Sequence, residues 1–138
     1  MLRYSILASA VLLATLLAGV GRRPPPQAEP PCHENPHLVA SCFKARGVLT
    51  PANGSPSYRI LRLGTKRILG VEERSDRLTG FSGMPQYLRD TIDLGHKEIR
   101  ADFLVCPFTR SQPAHMQMVC VDTATHIESR HARFFGPE

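Results

Sequence analysis

The chain has 138 residues, with 17 Lys plus Arg against 12 Asp plus Glu, four cysteines and 12 prolines. That length holds one domain rather than two. The formal charge of +5 excludes an acidic surface and points toward anionic partners.

In chain order, Met1 to Tyr4 carries Arg3 and is followed by an uncharged run from Ser5 to Val20 rich in Leu and Ala, the layout of a secretory signal. At about 16 residues the run falls short of the roughly 20 that a membrane-spanning helix needs. Residues 1–21 are therefore expected to be a signal peptide. Arg22 and Arg23 directly follow Gly19-Val20-Gly21 and hinder translocation, so an uncleaved leader is the alternative and the sole expected route to a membrane. Cys32 follows Pro30-Pro31, too far from the apolar run for a lipid anchor. Residues 22–31 contain five prolines and read as an extended spacer. Residues 32–138 form a single disulfide-stabilised β domain near the lower size limit of independent stability, in a protein that is exported, periplasmic or secreted.

All four cysteines lie beyond the leader, which implies two disulfides and three possible connectivities. Ile99 to Cys106 and Met116 to Asp122 read as strands of a hairpin centred near residue 113. Cys106 and Cys120 then stand opposite each other on one face at bonding distance. That local reading gives the pairs Cys106–Cys120 and, by elimination, Cys32–Cys42. The competing connectivity uses Cys42 on the first strand to reach Cys106 or Cys120, leaving Cys32 to the other.

From Cys42 to Leu49 the pattern is a strand ending in Thr50-Pro51-Ala52-Asn53-Gly54-Ser55-Pro56, where Asn-Gly flanked by prolines is a strong turn signal. Ser57 to Leu63 alternates, Gly64-Thr65 turns the chain, and Lys66 to Val71 resumes, which predicts a three-strand meander. Pro85 suits the first turn of a short helix through Asp90, with Met84, Tyr87 and Leu88 available for burial. The two hairpin strands follow. Thr123 to Glu138 fits a helix along Ala124, Ile127 and His131, or an added edge strand.

Three strands, a short helix and two strands match an all-β or β-rich α+β fold, namely a small five-stranded OB-like barrel with one short helix between strands 3 and 4. A half-open roll or a sandwich shares the count. The segments Cys42-Phe43, Tyr58-Arg59-Ile60, Leu63 to Val71, Asp102-Phe103, Val105 to Thr109 and Val119-Cys120-Val121 together resemble those of small exported bacterial proteins of unassigned function. The resemblance spans most of Cys42 to Val121. It implies a single exported domain and no particular activity, ligand or catalytic residue.

Basic residues concentrate on the first three strands: Lys44 and Arg46, Arg59 and Arg62, Lys66 and Arg67. On an OB-like barrel the second and third strands form the usual ligand face, where positive charge attracts polyanions. The partners expected are anionic polysaccharide, lipopolysaccharide, acidic phospholipid or extracellular nucleic acid. The plainer reading is a set of solubilising charges, since alternation puts Arg59 and Arg62 on opposite faces. His115, Met116 and Met118 offer imidazole and thioether ligands at alternate strand positions, suited to copper(I). Two core methionines are the commoner use of such a pattern. Cys32, His33, His37 and Cys42 match no zinc module spacing. There is no nucleophile elbow, metalloprotease histidine pair, phosphate loop or Cys-x-x-Cys pair, and Asp102 beside Arg100 reads as a surface ion pair. No enzyme and no cofactor is expected. An exported binding domain is the first reading, with a periplasmic copper protein or a structural subunit beside an envelope protein partner as alternatives.

Overall fold

The computed structural model describes residues 28–72, 80–93 and 97–131; the leader, most of the proline-rich segment and the terminal Phe134-Phe135 lie outside them. A 3-10 turn at Cys32–Glu34 precedes β1 (Phe43–Pro51), β2 (Tyr58–Arg62), β3 (Ile68–Val71), α1 (Gln86–Asp93), β4 (Lys97–Pro107) and β5 (Gln117–His131). Among the described residues the protein is β-rich, with five strands and one short α-helix.

Alternation along β1 sends Ala45, Gly47 and Leu49 inward. A side chain at Gly47 would stand 2.6 Å from Ile60 Cγ2 and 2.8 Å from the Leu61 carbonyl oxygen, so glycine lets β1 and β2 close on each other. The Asn53-Gly54 turn delivers the chain into β2, with Gly54 at φ 97°, a conformation glycine adopts without steric cost. β1, β2 and β3 form an antiparallel meander. β3 then pairs in parallel with β5, β5 pairs antiparallel with β4, and β4 returns to β1. The sheet closes as a barrel in the order β1-β2-β3-β5-β4.

The barrel interior holds Phe103, Leu49, Ile60, Leu69, Ile99, Val71, Val105, Val119 and Val121, all at most 1% exposed. The helix lies between β3 and β4 in the chain. It starts at Gln86 and runs on to Asp93 rather than spanning Pro85 to Asp90. Pro85 sits just before it, and its carbonyl accepts from the Leu88 amide at 3.0 Å. Met84, Leu88 and Ile92 are buried in the core from this side.

The described part of the tail is strand: β5 continues through Thr123 to His131 against β4, with Lys97 opposite His131. A bulge between Arg100 and Asp102 bends this ribbon. His126 adopts φ 52° there.

The local disulfide pairing is corrected. The bonds are Cys32–Cys120 and Cys42–Cys106, not Cys32–Cys42 and Cys106–Cys120, which is one form of the competing connectivity. Cys106 and Cys120 are indeed opposite one another across β4 and β5. Barrel closure, however, gives β4 a second neighbour. The β1–β4 ladder begins at Phe43 and Val105, which sets Cys42 beside Cys106. Cys120 is then met by Cys32 from the segment lying over β5.

That segment, residues 29–41, is a strap across the outside of the barrel. Glu29 accepts hydrogen bonds from Arg89 on α1 at 2.6 Å and from Ser82 at 2.8 Å. Cys32 is bonded to β5. The Asp122 carboxylate accepts from the His33 amide and meets the His33 ring, both at 2.9 Å. The Val39 amide donates to the Pro107 carbonyl at 2.9 Å. The docked part of the chain thus reaches back to Glu29, inside the proline-rich segment.

Candidate functional site

The most organised surface feature is built around a missing side chain. Gly70 is the outward-facing residue of β3 between the inward Leu69 and Val71. It pairs with Arg59 on β2 and Met118 on β5. A Cβ at Gly70 would lie 2.7 Å from the sulfur of Met116, 2.7 Å from that of Met118 and 2.8 Å from Pro56 Cγ. Both thioethers therefore converge on the outer surface of β3, Met118 from β5 and Met116 from the position just ahead of that strand. They are half-buried.

Next to this pair, a cleft of about 320 Å³ opens between the β2–β3 turn and the β4–β5 loop. Lys66 and Arg67 line it from the turn, Ile68 and Leu69 form its floor, and Gln112, His115, Met116 and Gln117 line the opposite side. Local hydrogen bonds hold each lip. In the turn, Thr65 Oγ1 donates to the Arg62 carbonyl at 3.2 Å and accepts from the Arg67 amide at 3.1 Å. In the loop, Gln117 Nε2 donates to the Thr109 carbonyl at 3.0 Å, and the Met118 amide donates to Thr109 Oγ1 at 2.9 Å. The Arg67 guanidinium donates to Ser111 Oγ and ties the lips together.

Of the six basic residues singled out from the sequence, the structure brings Lys66 and Arg67 to this cleft. Arg59 stands one strand away. Its Nε is the only buried side-chain nitrogen or oxygen among the described residues without a hydrogen-bond partner, while its Nη2 reaches the Asn53 carbonyl at 3.4 Å. Arg62 does not join them. It shares the inward parity of Ile60, and its guanidinium lies 5.7 Å from the Phe43 ring centroid, within cation–π range. Arg46 turns toward Asp102 at 3.8 Å, and Lys44 stands opposite Leu104 on the β1–β4 wall. A continuous six-residue basic face is not formed.

His115 sits in the exposed loop beside Met116. Asp102 has Arg46 as its ion-pair partner and the His126 ring nitrogen at 3.1 Å as a hydrogen-bond partner, instead of Arg100, because Asp102 stands opposite Arg46 in the β1–β4 ladder. Cys32 and Cys42 are in disulfides, and His33 is engaged with Asp122, so these residues do not assemble a metal site with His37. Ser111, Gln112 and Gln117 were not singled out by sequence reasoning. Their only sequence signal is position, in the loop and strand start flanking the His115-Met116 pair.

Two disulfides fit an oxidising, non-cytoplasmic setting. Among the described residues no helix is long and apolar enough to cross a membrane. No protein-family model matches the chain, and comparison with curated proteins and with solved structures finds no match.

Proposed function

We propose that this is an exported OB-like binding domain that takes the anionic group of a ligand in the cleft between the β2–β3 turn and the β4–β5 loop. The strand order, the parallel β3–β5 pair and the helix between β3 and β4 support the OB-like reading. The observation that carries the function is Lys66 and Arg67 facing Gln112, His115 and Gln117 across one cleft. Two cations supply attraction, and amide and imidazole groups supply directional donors around an anion. The cleft volume suits one anionic unit, such as a sulfated or phosphorylated sugar at a polysaccharide or lipopolysaccharide surface, better than a long stretch of polymer.

The test is a binding titration with a sulfated oligosaccharide. The expected result is a loss of roughly tenfold to hundredfold in affinity between about 50 and 300 mM salt, with a similar loss in Lys66→Glu/Arg67→Glu. Arg46→Glu and Arg62→Glu should stay within about twofold, since exposed charges farther off are screened. Equal binding by all four proteins removes the proposal.

A second reading is favoured by the two sulfurs over Gly70. Met116 and Met118, with His115 alongside, form a donor set suited to copper(I). The neighbouring Lys66 and Arg67 count against a cation there, which ranks this reading second. Competition for copper(I) against a chelator, with and without Met116→Leu/Met118→Leu, decides it: no competition, or no loss in the double variant, ends it.

A further inference from the structure

The four cysteines form a row. Cys42, just ahead of β1, is bonded to Cys106 on β4, Cys106 is the cross-strand partner of Cys120 on β5, and Cys120 is bonded to Cys32 of the strap. The sulfurs of Cys32, Cys106 and Cys120 all lie within 4.8 Å of one another. Cys106 therefore stands between two possible partners and is bonded to the one ahead of β1. Accessibility is uneven along the row. Cys32, Cys106 and Cys120 are 4%, 0% and 1% exposed, whereas Cys42 is half-buried at the edge.

We propose that this row is a disulfide relay in which reduction at the accessible Cys42 is passed inward and releases Cys32, untying the strap from β5. An external dithiol, reacting as its thiolate, attacks the Cys42 sulfur. The Cys42–Cys106 bond breaks and Cys106 leaves as a thiolate. The second thiol of the reductant displaces Cys42, and the reductant departs as its own disulfide. The Cys106 thiolate, stranded among apolar neighbours where charge is costly, attacks the adjacent Cys120 sulfur. A Cys106–Cys120 bond forms, the Cys32–Cys120 bond breaks, and Cys32 leaves as a thiolate. Cys32 and Cys42 take protons from water. Two electrons and two protons pass from the dithiol to the protein, which ends with one disulfide and two thiols.

The product gains a Cys106–Cys120 staple between β4 and β5, which are held together by their backbone ladder alone in the starting protein. What is lost is the Cys42–Cys106 bond to β4 and the covalent tie of the strap to β5, leaving the strap held by Glu29 on Arg89 and Ser82, His33 on Asp122 and the Val39 amide on the Pro107 carbonyl. The relay thus converts the reducing strength of the surroundings into the looseness of the segment through which the chain enters the domain.

The experiment treats the folded protein with one equivalent of dithiothreitol, traps thiols with N-ethylmaleimide, and maps peptides without further reduction. Cleavage at Glu34, which separates Cys32 from Cys42 in sequence, makes the assignment unambiguous. The relay predicts labels on Cys32 and Cys42 with Cys106 joined to Cys120. Labels on Cys42 and Cys106 with Cys32–Cys120 intact overturn it, as does passage to four labelled cysteines with no intermediate. The Cys42→Ser protein gives an independent readout that needs no reductant: Cys32 is labelled and Cys106 is not. Labelling of Cys106 in that variant contradicts the relay.

Discussion

Met118 on β5 places its sulfur where a side chain on its ladder partner, Gly70 of β3, would begin. The outer face of the parallel β3–β5 pair is thus filled by methionine from one strand because the other carries none. Gly70→Ala must displace two sulfurs and the stiffer Pro56 ring. It is expected to cost about 1–3 kcal/mol, the usual range for overpacking, read by urea denaturation. In a Met118→Ala background the cost should shrink, since contacting residues couple. Equal cost in both backgrounds shows that the sulfur is not the obstacle.

The strap carries a pH-dependent contact. Burial raises the Glu29 pKa, but hydrogen bonds from Arg89 and Ser82 and the charge of Arg89 outweigh it and hold the carboxyl below its ordinary value of 4.5. A group depressed in the folded state contributes stability above its unfolded pKa and loses it as pH falls through the folded one. Amide exchange in residues 28–34 should therefore be constant near neutrality and speed up as pH drops below 4.5, after correction for intrinsic rates. Glu29→Gln should weaken that dependence.

Removing the bond from the strap to β5 tests the connectivity as well as the stability. Cys32 and Cys120 close a loop of sequence separation 88, so Cys32→Ala/Cys120→Ala is expected to lose about 2–5 kcal/mol while leaving Cys42–Cys106 intact by mass mapping. If the two remaining cysteines are found as thiols, the pairing is wrong.

Among the described residues Phe103 is the largest fully buried side chain, 0% exposed inside the barrel. Truncation to alanine is expected to cost about 3–5 kcal/mol by denaturant titration. A cost below about 1 kcal/mol means that the barrel interior is not packed around it.

The meander was legible because its turns depend on residues with few alternatives: Asn53-Gly54 between β1 and β2, and Gly64 at φ 74° before β3. The helix announced itself through Pro85, and its end moved because Thr91, Ile92 and Asp93 carry no stop signal. The disulfides were misassigned because a hairpin reading sees one neighbour of β4, while closure supplies β1 on its other side. Alternation did separate Arg59 from Arg62. It did not show that Arg62 ends over Phe43 or that Arg46 ends beside Asp102, since those partners arrive from β1 and β4. The cleft itself joins residues near 67 with residues near 112, a proximity created by the parallel β3–β5 pairing.

Amide chemical-shift mapping of the isotope-labelled domain during titration with a sulfated oligosaccharide tests the cleft most directly. The expected shifts concentrate on Lys66 to Leu69 and on Ser111 to Gln117, with Lys44, Arg46 and Arg62 unmoved. Shifts centred on Lys44, Arg46 and Arg62, or no saturable shifts at low salt, contradict anion binding in this cleft.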